Sequence, residues 1–208
     1  MMPKLLRRWL IIALLGSGLW QFGEGSYIYA KAQVAQELIL DAWEEGIVSD
    51  QPVKPWAWAD TWPVARLTVP RLDIDQIVLA GDSGHALAFG PGHRLDSALP
   101  GAVGNSLISG HRDTHFRFLK SLRIDDEILL HTPDGQSHRY VINAYEVIDE
   151  STPLGFEADE RQLTLVTCYP FDAVAPGGSL RYVVYAREQS EIRNEQALAL
   201  ANPSMIAI

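Results

Sequence analysis

Between residues 64 and 187 the chain consists of short segments in which β-prone apolar and polar residues alternate. Turn sequences such as Pro70-Arg71-Leu72 and Thr132-Pro133-Asp134-Gly135 separate them. Alternation with a period of two is typical of strands whose faces differ, and proline and glycine preset turn dihedrals. The predicted strands are Val64–Val69, Ile74–Ala80, Asn105–Ser109, Ile128–His131, Arg139–Ile148, Leu163–Cys168 and Leu180–Arg187. So many short strands predict a mainly β fold, a closed or nearly closed barrel, with short helices over residues 83–97 and 115–122.

The chain before the barrel has a different character. In residues 31–47 apolar residues recur every three or four positions among acidic ones, which predicts an amphipathic helix ending at Gly46. Residues 49–63 are rich in proline and tryptophan and are interpreted as an irregular connector. The predicted organisation is therefore a leading segment (1–30), a helix and connector (31–63), the barrel (64–187) and a tail (188–208) with helical spacing.

The leading segment has the pattern of an export signal. Lys4, Arg7 and Arg8 precede the apolar run Trp9–Trp20. Basic residues before an apolar segment favour a cytoplasmic N-terminus, with the rest of the chain outside. The segment is expected to be an uncleaved single-pass anchor in the cytoplasmic membrane, with residues from about 30 onward on the outer side. The alternative is a cleaved signal sequence, since Ala30-Lys31-Ala32 has the small-x-small form of a cleavage site.

Charge and cysteine content exclude several functions. The formal net charge is −9, and an acidic body argues against binding the phosphates of a nucleic acid. One cysteine allows neither an internal disulfide nor a cysteine-based zinc site, and we expect no metal and no cofactor. Cys168 is therefore either a buried apolar residue or a reactive thiol.

Three polar residues lie where predicted strands meet loops: His111, Cys168 and Arg181. Each alone has an ordinary structural explanation, as a solvated histidine, an inert core cysteine or a surface arginine. Together they fit thiol chemistry. A thiolate is the nucleophile, and a histidine can act as its base and later as the acid that protonates a leaving amine. An arginine offers a fork of donors to a carbonyl oxygen that gains charge.

The residues around these three resemble the sortase family. Thr164-Leu165-Val166-Thr167-Cys168 matches the sortase signature Thr-Leu-x-Thr-Cys, and Ser109-Gly110-His111-Arg112-Asp113-Thr114 is similar to the sortase histidine segment. Arg181 stands on the following strand, as the sortase arginine does. The resemblance covers roughly Val64 to Arg187 and keeps the order histidine, cysteine, arginine.

The resemblance implies an eight-stranded sortase-type barrel and a cysteine transpeptidase. It implies that Cys168 is the nucleophile, His111 the acid and base, and Arg181 the clamp for substrate and oxyanion. The partner would be an exported protein with a C-terminal sorting signal, cleaved through a thioacyl intermediate and passed to an amine acceptor that the sequence does not identify. Two alternatives stay open: a sortase-fold peptidase that releases its substrate by hydrolysis, and a non-catalytic barrel that binds a peptide in the cell envelope.

Four further residues are supporting candidates. Thr167 is expected to contribute its hydroxyl or its backbone amide to the oxyanion site, and Thr164 belongs to the same signature. Asp113 either orients His111 or caps a loop. Tyr169 either lines the substrate pocket or packs in the core.

The N-terminal part resembles one sortase subgroup in particular. Lys31-Ala32 and Ala42-Trp43 in the helix after the leading segment are similar to the class GN sortases of Gram-negative proteobacteria. That resemblance implies an enzyme of the inner membrane whose catalytic domain faces the periplasm and which serves one dedicated substrate.

Overall fold

The computed structural model describes residues 3–154, 159–173 and 177–189, and eight strands of this part close into a barrel. The strands are β1 (Pro63–Val69), β2 (Ile74–Ala80), β3 (Gly92–His93), β4 (Gly104–Ser109), β5 (Glu127–His131), β6 (Ser137–Asp149), β7 (Arg161–Cys168) and β8 (Leu180–Glu188). Their order around the barrel is β1-β2-β3-β4-β7-β8-β6-β5, and β1 pairs with β5 to close it. The predicted mainly β barrel is confirmed.

Two of the neighbouring pairs are parallel, β2 with β3 and β4 with β7, and the other pairs are antiparallel. The interior face carries the main hydrophobic cluster, in which Leu67, Ile108, Leu130, Leu165 and Val184 are fully buried. The strand alternation follows from this arrangement, because every second side chain enters the core.

The short helices differ in part from the prediction. Residues 83–97 contain α2 (Gly84–Leu87) followed by strand β3, which the sequence did not predict. Residues 115–122 contain a 3₁₀ turn at Arg117–Ser121, and a second 3₁₀ turn at Pro70–Leu72 joins β1 to β2. The predicted tail helix lies almost wholly beyond residue 189, outside the described residues.

Helix α1 (Lys4–Ser49) is longer than predicted. It continues through Gly46, so the prediction that Gly46 ends the helix is wrong. Glycine costs only about 1 kcal/mol relative to alanine inside a helix, and Gly46 is itself buried. Ile39 and Trp43 are also buried, with exposed fractions of 2% and 4%. Burial of these residues offsets the unfavourable propensity of glycine.

Two compact units divide the chain, Met1–Leu38 and Ile39–Ile208. In the first unit the large apolar side chains from Trp9 to Tyr29 are exposed. Among the residues that the structure describes, no helix is both long and apolar enough to cross a membrane. The single-pass anchor expected in residues 1–30 stays a prediction. The apolar run Trp9–Trp20 is shorter than the roughly 20 residues that a hydrocarbon core requires, and Glu24 follows it closely.

The parallel contact of β2 with β3 depends on Gly92. A Cβ atom at this position would lie 2.2 Å from the backbone oxygen of Gly81 and 3.1 Å from Cα of Asp82. Neither atom belongs to a flexible side chain, so the backbone itself would have to move. We expect Gly92→Ala to lower the free energy of unfolding by about 3 kcal/mol, the upper part of the usual range for overpacking.

Urea unfolding followed by circular dichroism measures this loss, and Gly84→Ala is the matched control. A Cβ at Gly84 meets no atom within 4 Å, and this glycine lies in helix α2. The control is expected to leave the stability unchanged or slightly raised. Equal stability of the two variants would contradict the close approach described for Gly92.

Candidate active site at the ends of β4, β7 and β8

Strand β7 presents Cys168 on the face opposite the barrel core. Leu163, Leu165 and Thr167 are buried on the interior side, so Val166 and Cys168 point the other way. Cys168 is the last residue of the strand and is partly exposed. The thiol therefore stands at a strand end on the outer face, where a substrate can reach it.

Strand β8 brings Arg181 next to this thiol. Cys168 and Arg181 are direct partners in the antiparallel register of β7 and β8. Residues opposite each other in such a pair have Cβ atoms about 5 Å apart on the same face. The fold thus joins two of the predicted residues that are well separated in the sequence.

Strand β4 brings the segment of His111 to the same end of β7. Ser109 is the parallel register partner of Val166, and the Gly110 amide donates to the Val166 carbonyl at 3.1 Å. His111 follows Gly110 directly and is exposed, so its segment begins at the end of β7 that carries Cys168. A turn begins here, because the Phe116 amide donates to the His111 carbonyl at 3.0 Å.

Gly110 allows that turn to pack closely. A Cβ atom at Gly110 would lie 2.6 Å from the ring of Phe116, which is fully buried. A side chain at position 110 would therefore displace the histidine segment from the end of β7.

A cleft of about 840 Å³ lies on the same outer face. Its floor includes Leu107 of β4, Val166 of β7, Ile148 of β6 and Arg181 of β8. Its walls come from the loops that follow β3 and β6 and are formed by Arg94, Asp96, Ser97, Ala98, Glu150, Ser151, Thr152, Pro153 and Leu154. An apolar floor with polar walls suits an extended peptide, and Arg181 connects the cleft to the position of Cys168.

The guanidinium of Arg181 is held at the edge of this cleft. It pairs with the carboxylate of Glu150, and its Nη1 donates to the Gly178 carbonyl at 2.7 Å. The adjoining loop is ordered by Asp149, whose pKa is lowered to about 2, mainly by the hydroxyl of Ser151 and also by that of Ser179. Sequence reasoning missed Glu150, because no local pattern indicates that the loop after β6 reaches Arg181.

The two threonines of the signature have structural partners. Thr167 is 2% exposed, and its hydroxyl donates to the Gly110 carbonyl at 2.7 Å. This hydroxyl faces the interior and is committed to the carbonyl directly after β4, and its expected oxyanion role stays a prediction. The role of the Thr167 amide stays a prediction. Thr164 is also buried and donates to the side-chain oxygen of Asn105 at 2.8 Å, directly beneath the cleft.

Asp113 and Tyr169 each contact neighbouring side chains. The Asp113 carboxylate is 3.4 Å from Nε of Arg112 and is largely exposed, so it serves as the partner of that arginine. Tyr169 stacks on Tyr182 with ring centroids 6.3 Å apart and contacts Phe171 edge-on at 6.2 Å. Packing within this aromatic cluster is the observed role of Tyr169.

His111 lies close enough to His115 to affect the pKa of His115. Burial lowers the pKa of His115, and the nearby His111 lowers it further. The folded state therefore binds fewer protons here than the unfolded chain, whose histidines titrate near pH 6.5. The stability that neutral His115 contributes is present above about pH 6.5 and is lost as the pH falls below that value.

Urea unfolding at pH 7.5 and pH 5.0 tests this for the native chain and His115→Gln. We expect the stability of the native chain relative to the variant to be greater at pH 7.5 than at pH 5.0. The Gln76 side chain donates to the backbone oxygen of His115 at 3.0 Å, and the substitution leaves that acceptor in place. A difference between the two proteins that does not change with pH would contradict the assigned direction.

Known proteins share both the sequence pattern and the barrel. The profile of the sortase domain family matches residues 67–189. Sortase D of Bacillus subtilis (strain 168) is 30% identical over 123 residues, which are 58% of this chain and 61% of that protein. The chain thus matches less than two thirds of the length of this relative.

Two solved structures show the same architecture. Sortase A from Corynebacterium diphtheriae is 28% identical with a TM-score of 0.57, covering 64% of this chain and 63% of that one. A Clostridium perfringens Sortase D5 transpeptidase is 24% identical with a TM-score of 0.62, covering 75% of this chain and 99% of that one, which supports the fold. The family profile covers more than half of the residues, and the chain therefore belongs to the sortase family.

Proposed function

We propose that this chain is a cysteine transpeptidase that cleaves a C-terminal sorting signal of an exported protein and transfers the new carboxyl end to an amine. The observation that carries the proposal is the convergence of β4, β7 and β8. Cys168 pairs with Arg181 in the register of β7 and β8, and Arg181 lines a peptide-sized cleft. The Gly110 amide, next to His111, donates to the Val166 carbonyl two residues before Cys168. Membership in the sortase family supports the same chemistry.

In the first half of the reaction the thiol becomes acylated. His111 accepts the proton of Cys168, and Sγ attacks the carbonyl carbon of the scissile peptide bond. The guanidinium of Arg181 donates hydrogen bonds to the oxygen as it gains negative charge. The C–N bond then breaks, and His111 gives its proton to the leaving amine, which leaves a thioacyl enzyme.

In the second half an amine replaces the leaving group. The nitrogen of the acceptor attacks the thioacyl carbon and loses a proton to His111. The C–S bond breaks, an amide bond is formed, and the proton returns to the sulfur of Cys168. Water in the place of the amine would give a free carboxylate, so the nature of the product separates a transferase from a hydrolase.

Product analysis by mass spectrometry tests the proposal. The substrate is a pool of peptides that share a central threonine, with and without triglycine. We expect a new amide product that grows with the triglycine concentration. If only free acid forms at high triglycine concentration, the chain is a hydrolase and not a transpeptidase. If no peptide of the pool is cleaved, both activities are excluded for this substrate class.

We further propose that the enzyme works at the outer side of the cytoplasmic membrane and belongs to the class GN subgroup with one dedicated substrate. The basic residues before the apolar run and the exposed apolar side chains of the first unit support membrane attachment. Lys31, Ala32, Ala42 and Trp43 support the subgroup. Protease treatment of spheroplasts tests the location, and catalytic-domain fragments that survive with an intact inner membrane would contradict it.

A comparison of envelope proteins tests the dedicated substrate. Cells with the native chain and cells with Cys168→Ala are expected to differ in one protein whose C-terminal segment is removed only by the active form. Several affected proteins, or none, would contradict a single dedicated partner.

A further inference from the structure

Arg112 is a buried charged residue beside the proposed acid and base. It is 5% exposed, whereas His111 and Asp113 on either side of it are exposed. Arginine is almost never this buried without partners, because removing its charge from water is costly. Its position therefore requires specific acceptors.

Those acceptors lie on the segment that follows Cys168. Nη1 of Arg112 donates to the Pro170 carbonyl at 2.8 Å, and Nη2 donates to the Ala173 carbonyl at 2.9 Å. Its Nε faces the carboxylate of Asp113 at 3.4 Å, which offsets the charge. The rigid planar fork of a guanidinium fixes the direction of both bonds to the carbonyls, which an ammonium group cannot do.

A second link joins the same two segments on the other side. The Thr167 hydroxyl donates to the Gly110 carbonyl at 2.7 Å. One link therefore joins Gly110, before His111, to Thr167, before Cys168. The other joins Arg112, after His111, to Pro170, which follows Cys168 by two residues. The two links together hold the backbone segment of His111 against the backbone segment of Cys168.

We propose that Arg112 is a positioning residue that sets His111 against Cys168, an inference that rests on the proposed cysteine transpeptidase. Proton transfer between a sulfur and an imidazole depends steeply on their distance, and a shift near 1 Å can cost about a hundredfold in rate. The residues that line the cleft do not include Arg112, Pro170 or Ala173. Loss of the fork therefore affects the chemical steps and leaves peptide binding in the cleft intact.

Steady-state kinetics of Arg112→Gln and Arg112→Lys test this, with Arg117→Gln as the control. Arg117 is an exposed arginine at the start of the following 3₁₀ turn. The substrate is the central-threonine peptide that the native enzyme cleaves fastest. We expect kcat to fall about 10- to 100-fold in Arg112→Gln with KM within threefold. The kcat of Arg112→Lys, which keeps the charge without the fork, is expected to lie between the values of Arg112→Gln and the native enzyme. The kcat of the Arg117→Gln control is expected to be unchanged.

A second readout is independent of turnover. The rate at which iodoacetamide alkylates Cys168 is measured from pH 5 to pH 10 in the native chain, Arg112→Gln and His111→Ala. If Arg112 positions His111, the profile of Arg112→Gln moves from the native curve to that of His111→Ala. Circular dichroism at the assay temperature limits the comparison to folded protein.

These readouts separate failure of this inference from failure of the proposed function. A native enzyme that cleaves no peptide of the pool overturns the substrate class, and the alkylation profiles still decide the role of Arg112. The positioning role is overturned if folded Arg112→Gln keeps a kcat within threefold of the native value. It is equally overturned if its alkylation profile coincides with the native curve, or if His111→Ala itself leaves that curve unchanged.

Discussion

Cys168→Ser is expected to lower peptide cleavage by at least about a thousandfold, the scale found when a nucleophile is removed from a catalytic triad. The hydroxyl has nearly the same shape as the thiol but is a far weaker nucleophile at neutral pH. Because Cys168 ends β7 on the outer face and is partly exposed, the exchange leaves no core cavity. The measurement is the initial rate of cleavage of a quenched fluorescent peptide with a central threonine.

Two controls accompany this substitution. The melting temperature of Cys168→Ser is expected to stay within a few degrees of the native value, and the variant is expected to bind the peptide with similar affinity. Folded Cys168→Ser with more than a tenth of the native rate would show that another group is the nucleophile.

Arg181→Lys is expected to lower kcat/KM by about 100- to 1,000-fold, as the loss of an oxyanion donor does in acyl-transfer enzymes. Lysine keeps the positive charge but loses the fork that reaches the Gly178 carbonyl and Glu150 together. The effect on folding is expected to be small, because ion pairs at partly exposed positions contribute roughly 0–1 kcal/mol. Cleavage kinetics with the same peptide measure the change.

Arg187→Lys is the matched control for this substitution. Arg187 lies on the same strand and the same face, and its guanidinium is 3.5 Å from the carboxylate of Glu160. This arginine does not line the cleft, and its exchange is expected to leave kcat/KM unchanged. Equal activity of the two lysine variants would contradict a specific role for Arg181.

Local sequence patterns were sufficient for most of the barrel. Seven of the eight strands were predicted within two residues at each end, because their alternation reflects one face in the core. Strand β3 is not predictable from the sequence, because its two residues, Gly92 and His93, are too few to show any periodicity. Its place is set by the close approach of the Gly81 backbone, a tertiary contact with no local pattern.

The site was predicted less completely than the fold. His111, Cys168 and Arg181 are recognisable because each breaks the pattern of a strand or follows one, and the register pairs Cys168 with Arg181. The partners of these residues are not recognisable in this way. Glu150 and the carbonyls of Pro170 and Ala173 reach the site through loops whose paths depend on the whole barrel. Thr167 differs from these partners, because the alternation along β7 already puts it on the same face as Leu163 and Leu165.

The proposed reaction passes through a covalent intermediate on Cys168, which an intact-mass measurement of the protein during turnover detects. The native chain is mixed with the cleaved peptide at limiting amine and quenched in acid. We predict an added mass equal to the N-terminal fragment of the peptide, located at Cys168, released by triglycine and absent from Cys168→Ser. Turnover with no adduct at Cys168 under any quench time would contradict the account.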